Sequence, residues 1–231
     1  MVNQVLYLHW KAVRKELIPL TIAAFSLPLV AIQGSAWPGD TGIPSAFYAS
    51  YILDQVSAWL PFFPVLAGVT GVTLALGGWS WDHETKHVYA LSLPVSRAQY
   101  VLHKLGAGAT LALVPTLAFL AGAGIASFAV HLPEGLHTYP MALGARFFLS
   151  SLVAYALFFA LAAGTIRTAV TVLSTVVGVL VFGDVAVHFV GTVMHNPALQ
   201  NASFAGWALD HLFAWPSPFR VFSGNWSLID V

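Results

Sequence analysis

Long apolar runs separated by short polar islands make up most of this chain. Apolar stretches cover residues 17–32, 56–79, 105–130, 147–166 and 168–190. Most approach or exceed about 20 residues, the length at which an α-helix crosses a bilayer core. The pattern predicts five transmembrane helices. Ahead of the first run, Leu6, Trp10, Val13 and Leu17 share one helical face, and Lys11, Arg14 and Lys15 lie largely off it. Residues 1–16 are therefore expected as an amphipathic helix at the lipid interface. The first run has no small-residue cleavage site and contains Pro19 and Pro28, which suits a retained span rather than a cleaved signal peptide. Pro61, Pro64 and Pro115 should kink or break their helices locally.

Beyond Val190 no apolar run of bilayer length remains. Trp207, Trp215 and Trp226 alternate there with Pro197, Pro216, Pro218, Gly206 and Gly224. Tryptophan settles at headgroup level, so residues 191–231 read as short helices on the outer face. The fold class is an all-α polytopic membrane protein with a single transmembrane domain over residues 1–231. Small residues recur at four-residue spacing in Ala67 and Gly71, in Ala118, Gly122 and Ala126, in Ala156, Ala160 and Gly164, and in Ser174 and Gly178. Such spacing lets helices approach closely in lipid.

Composition sharpens this picture. The chain is 58% hydrophobic and 8% charged, against about 25% charged for a soluble domain. Nine basic residues balance nine acidic ones, which gives no basis for nucleic-acid binding. Cysteine is absent, so disulfides and thiolate metal sites are excluded. Lysine and arginine placement sets the orientation. With the N-terminus cytoplasmic, Lys11, Arg14, Lys15, Lys86, Arg97, Lys104 and Arg167 are inside, and Arg146 and Arg220 are outside. A multi-pass protein of the inner or plasma membrane with a cytoplasmic N-terminus is expected.

Chemistry concentrates in the polar island over residues 80–104. It holds Asp82, Glu84, Lys86, Arg97 and Lys104. Within it, His83-Glu84-Thr85-Lys86-His87 matches the H-E-x-x-H pattern of zinc peptidases, in which two imidazoles bind zinc and the glutamate acts as base. A third ligand is wanted, and most other histidines and carboxylates fall on the opposite side of the membrane. The alternative is a solvated helical turn with no metal. A second polar feature is Asp184, one turn before His188 in the fifth run. It reads either as part of a transport path or as an aspartate hydrogen-bonded to a neighbouring helix. No G-x-x-x-x-G-K-[ST] phosphate loop is present, so ATP is not bound in that manner.

The island resembles the signature of ABC-2-type transporter permeases. The matching residues are Glu84, Leu91-Ser92-Leu93, Pro94-Val95-Ser96-Arg97 and Lys104. The N-terminal amphipathic helix is similar to that family's interfacial helix. The Trp- and Pro-rich tail with Ser217-Pro218-Phe219 is similar to the segment that precedes its sixth span. Two departures stand out. No glycine lies between Glu84 and Pro94, and no sixth span follows, which suggests truncation after Val231. The resemblance implies a non-enzymatic exporter subunit that pairs with a second permease as a homodimer or heterodimer. It docks cytoplasmic ABC ATPase subunits, which carry the ATP and Mg; the permease itself holds no cofactor. The island would be the coupling helix. A coupling element needs apolar knobs and charged edges on a compact mount. Tyr89, Leu91, Leu93 and Val95 supply knobs; Asp82, Glu84, Lys86 and Arg97 supply charged edges; Lys104 is the basic residue opening the next span; Pro94 ends one short helix. The competing readings are a membrane zinc peptidase using His83, Glu84 and His87, and a membrane scaffold without transport activity.

Overall fold

The computed structural model describes residues 2–33, 45–85, 96–130, 132–133, 135–164, 166–214 and 216–230. Helix α1 runs from Val2–Ala31 without a break, with Pro19 and Pro28 inside it. The expected interfacial segment and first span are thus continuous. The buried face of the N-terminal half is Val5, His9, Val13 and Leu17, at the four-residue spacing of one helical face. That stripe lies one position off the predicted Leu6–Trp10 face. Helix partners, rather than lipid, select it.

The second apolar run divides. Helix α2 covers Ser45–Ser57 and α3 covers Phe62–Glu84. Backbone bonds Trp59 N–H to Val56 O (3.0 Å) and Leu60 N–H to Ser57 O (3.2 Å) close the turn between them. Pro61 caps α3 and Pro64 lies in its first turn, where a missing N–H is harmless. Helix α4, Arg97–Ala129, passes through Pro115; of the expected kink or break, the break does not occur. An interior proline costs about 3 kcal/mol, but Leu111, Ala112, Thr116 and Phe119 are buried on either side of it, and that packing holds the helix together. Helix α5 spans Pro140–Ala162 and α6 spans Ile166–Val193. Short helices α7 (Pro197–Gln200), α8 (Phe204–Phe213) and α9 (Arg220–Ser223) come after them. A two-residue antiparallel ladder joins β1 (His137–Thr138) to β2 (Ile229–Asp230). Nothing in the apolar pattern announces it, because two residues carry no periodicity.

The chain divides into two compact units, Met1–Phe159 with Asn225–Val231, and Ala160–Gly224. In the first, α1 packs along α4 and α3. Its core stacks Phe119 on Phe147 (centroids 4.4 Å apart) and sets Phe63 edge-on to Phe119 at 5.6 Å. Trp226, Leu228 and Ile229 are buried in the same core. In the second unit, α8 packs on α6.

Four stretches are long and apolar enough to cross a membrane among the described residues: Ala49–Glu84, Arg97–Ala129, Pro140–Ala162 and Val170–Val193. Large apolar side chains face outward on them, including Val65, Val69 and Leu76 of α3 and Leu113, Leu117 and Ile125 of α4. Inside lie Ala67, Thr70, Gly71, Ser150 and Ser151. Small and hydroxyl residues inside with large apolar residues outside is the arrangement of helices packed in lipid. Two of the predicted small-residue sites make tight contacts. A Cβ on Gly71 would strike the Ser151 carbonyl of α5, and one on Gly122 would strike the Phe25 carbonyl of α1.

Candidate functional site

Asp82 lies in the last turn of α3, and Lys104 lies about two turns into α4. Their side chains form an ion pair through Lys104 Nζ and Asp82 Oδ2. Asp82 is fully buried and Lys104 is 6% exposed. Both charges are therefore removed from solvent, which is tolerable only where further polar groups complete their shells. Those groups are present. Tyr100, one turn before Lys104, donates its hydroxyl to Asp82 Oδ1 at 2.8 Å. Lys104 Nζ also donates to the Gly78 carbonyl at 2.7 Å. The ammonium sits 4.3 Å from the centroid of the Trp79 ring and 5.1 Å from that of Tyr100, close enough for cation–π attraction.

Two more helices join this latch. From α5, Tyr155 donates its hydroxyl to the Lys104 carbonyl at 3.0 Å. Trp79 Nε1–H donates to the Phe159 carbonyl, also at 3.0 Å. From α1, the buried His9 ring bonds through Nε2 to the Leu74 carbonyl at 2.9 Å. Glycines make room for these side chains. Gly108 leaves space for the Tyr155 ring, and a Cβ on Gly78 would lie 3.1 Å from His9 Cε1. The latch clamps α3 to α4 just inside the ends of the connector over residues 85–96. At 1.5 Å of rise per residue, Asp82 is about 5 Å and Lys104 about 12 Å from those ends. Ser96 then starts α4 with a capping box: Gln99 N–H donates to Ser96 Oγ at 3.2 Å, and Ser96 N–H to Gln99 Oε1 at 3.4 Å.

The predicted coupling residues separate into three groups. Asp82 and Lys104 are buried and satisfy each other, so neither presents a charge to a partner; they mount the island instead of edging it. Glu84 and Arg97 are exposed at the end of α3 and the start of α4. Tyr89, Leu91, Leu93 and Pro94 lie outside the described residues. Of the zinc pattern, His83 and Glu84 are exposed, while His87 lies outside the described residues. Among the described residues no group of three His, Cys, Asp or Glu side chains could hold a metal ion. Asp184 accepts hydrogen bonds from Ser203 Oγ at 3.1 Å and Ala205 N–H at 3.0 Å. It thereby reinforces the start of α8, whose N-cap is Ser203. This is the neighbouring-helix reading, and His188 lines the same open cavity.

His9, Trp79, Tyr100 and Tyr155 were absent from the sequence-based site. The usable signal for His9 was its place in the Val5–His9–Val13–Leu17 stripe, where one titratable ring interrupts an apolar face. Burial holds the His9 imidazole below its ordinary value of 6.5; the Leu74 carbonyl opposes this shift, and the Lys104 charge adds to it. A group with a lowered folded value takes its proton more readily once unfolded. Its contribution to stability is full above the unfolded value and falls as pH drops below it towards the folded value. The slope is up to about 1.4 kcal/mol per pH unit for one proton. Thermal midpoints of purified protein should therefore drop less steeply below pH 6.5 in His9→Gln than in wild type. Equal slopes would show that His9 protonates as easily folded as unfolded.

No protein-family model, no curated protein and no solved structure matches this chain.

Proposed function

We propose that this chain is the transmembrane subunit of an ATP-driven exporter of the ABC-2 type, and that residues 82–97 dock a cytoplasmic ATPase. The observation that carries this reading is the buried latch. A docking element transmits force only if both of its ends are fixed to the spans it moves. Asp82, Tyr100, Lys104 and Gly78 lock α3 to α4 within about two turns of the connector. Glu84 and Arg97, exposed at its two ends, remain available to a partner.

Charge distribution supports the sidedness. Gln4 and His9 of α1 line one cavity together with Asp82 and Lys104, so the start of α1 and the connector share one end of the bundle. Lys11, Arg14, Lys15 and Arg97 are exposed on the residues flanking that cavity. An excess of exposed cations marks the cytoplasmic side. The ATP and Mg then belong to the partner ATPase, and a second permease, identical or different, completes the transporter.

Affinity purification in mild detergent tests the reading. The expected co-purifying protein carries the G-x-x-x-x-G-K-[ST] phosphate loop that this chain lacks. Recovery of the chain with stoichiometric zinc and no nucleotide-binding partner would favour the peptidase reading instead.

A further inference from the structure

A carboxylate inside a membrane span is costly and calls for a counter-charge. Asp184 lies in the stretch Val170–Val193, which is long and apolar enough to span, about 14 Å short of its end. Ser203 Oγ–H and Ala205 N–H both donate to its Oδ1, at 3.1 Å and 3.0 Å. These donors are neutral. They fix the carboxylate in place without cancelling its charge. The amides at the start of α8 offset at most about half a charge. Ser203 also caps α8 by itself, accepting the Gly206 N–H at 2.9 Å, so the cap does not require a second anion.

The unit that holds Asp184, Ala160–Gly224, has two fixed cations in its sequence, Arg167 and Arg220. Arg167 lies near the opposite end of α6, about 26 Å away along the axis. Arg220 begins α9, which bonds to the far end of α8 through Ser223 Oγ and the Phe213 carbonyl. Neither is placed to reach the carboxylate. His188, one turn on, carries no fixed charge.

An open cavity of about 560 Å³ adjoins Asp184. Asp184 and Ser203 both line it, and the hydrogen bond between them is exposed. Small-molecule pockets run to about 300–1,000 Å³. Most of the remaining wall is apolar, with Val185 and Phe189 both exposed along it. One anionic point on an apolar wall selects the ligand. A wholly apolar molecule would leave the charge uncompensated, and an anion would be repelled. A hydrated metal ion would find no second carboxylate among the lining residues. A cation with an apolar body satisfies both parts, and the Phe189 ring adds a face that attracts positive charge.

We propose that this cavity binds an amphiphilic organic cation, with its charged centre at the Asp184 carboxylate and its apolar body along Val185 and Phe189. The site is argued from α6 and α8 alone. It does not need the transport reading, which stands or falls on the ATPase partner.

The test is equilibrium dialysis of the purified full chain, in an uncharged detergent, against radiolabelled tetraphenylphosphonium. Tetraphenylborate, of similar size and opposite charge, is the control. The phosphonium should bind saturably and the borate should not. Asp184→Asn keeps an oxygen for Ser203 and Ala205 and should weaken phosphonium binding at least about tenfold. Asp210→Asn removes the other carboxylate of this unit and should bind as wild type does. If Asp184→Asn does not fold, Val185→Trp fills the cavity from an exposed position and should block binding. Saturable binding of both ions alike would show an apolar surface without charge selection and would overturn the site. Absence of saturable phosphonium binding would overturn it too, as would wild-type affinity in a folded Asp184→Asn or Val185→Trp variant.

Discussion

Lys104→Met should destabilise the helical bundle by about 3–5 kcal/mol, the cost of leaving one member of a buried ion pair without its partner. Asp82 is fully buried, and its Oδ2 is held by Lys104. Without the ammonium, the carboxylate must either stay charged in an apolar surrounding or take up a proton. Asp82→Leu should cost a similar amount, since it strands the ammonium between Trp79 and Tyr100. The double variant Asp82→Leu/Lys104→Met removes both charges and should recover most of the loss, because a buried pair replaced by apolar residues of similar volume is often neutral or better. Tyr100→Phe deletes one hydrogen bond to a charged oxygen and should cost about 1.5–3 kcal/mol. Unfolding midpoints of the four variants in one detergent give the comparison. Single variants as stable as wild type would mean that the pair is solvated and that the latch clamps nothing.

The second large effect separates glycines on a single helix. Gly122→Ala should destabilise by about 1–3 kcal/mol or more, because its methyl would run into the Phe25 carbonyl of α1, and a backbone atom cannot rotate away. Gly124→Ala, two residues on, meets nothing within 4 Å. There the gain in helix propensity should stabilise by roughly 0.5–1 kcal/mol. The contrast repeats nearer the latch: Gly108→Ala would collide with the Tyr155 hydroxyl group, whereas Gly106→Ala enters open space. Thermal midpoints that rank Gly122→Ala level with Gly124→Ala would contradict the close approach of α1 to α4.

Much of this architecture is legible in the sequence, for a physical reason. In lipid every spanning segment must satisfy its own backbone, so long apolar runs can only be helices, and α3, α4, α5 and α6 emerge from the runs directly. The junction between α2 and α3 was not legible, because Val56 to Leu60 is as apolar as the start of α3 and only Pro61 marks the turn. Pro115 does not end its helix, since packing on both sides outweighs a local defect. At the site, the charged residues of the island were identifiable by their rarity. Their roles were not. Whether Asp82 faces a partner protein or Lys104 depends on the rotation of two helices, which hydropathy does not encode. His9 is the extreme case: its significance comes from Leu74, 65 residues away. The Asp184 cap depends likewise on where α8 lies against α6.

Coupling itself is tested most directly by ATPase association and transport-stimulated ATP hydrolysis of the co-purified complex, wild type against Glu84→Ala, Arg97→Ala and Leu93→Asp. Truncating a partly desolvated interfacial charge costs about 2–5 kcal/mol, and a rim charge much less. At least one of the two alanine variants should therefore bind the ATPase about tenfold more weakly, a change worth about 1.4 kcal/mol. Leu93→Asp should lose more, because docking would bury an unpaired carboxylate. The isolated membrane subunits should keep wild-type thermal midpoints, since Glu84 and Arg97 are exposed and outside the latch. If all three variants bind and stimulate the ATPase as wild type does, residues 82–97 are not the coupling element, and the reading of this chain as a transporter subunit loses its residue-level support.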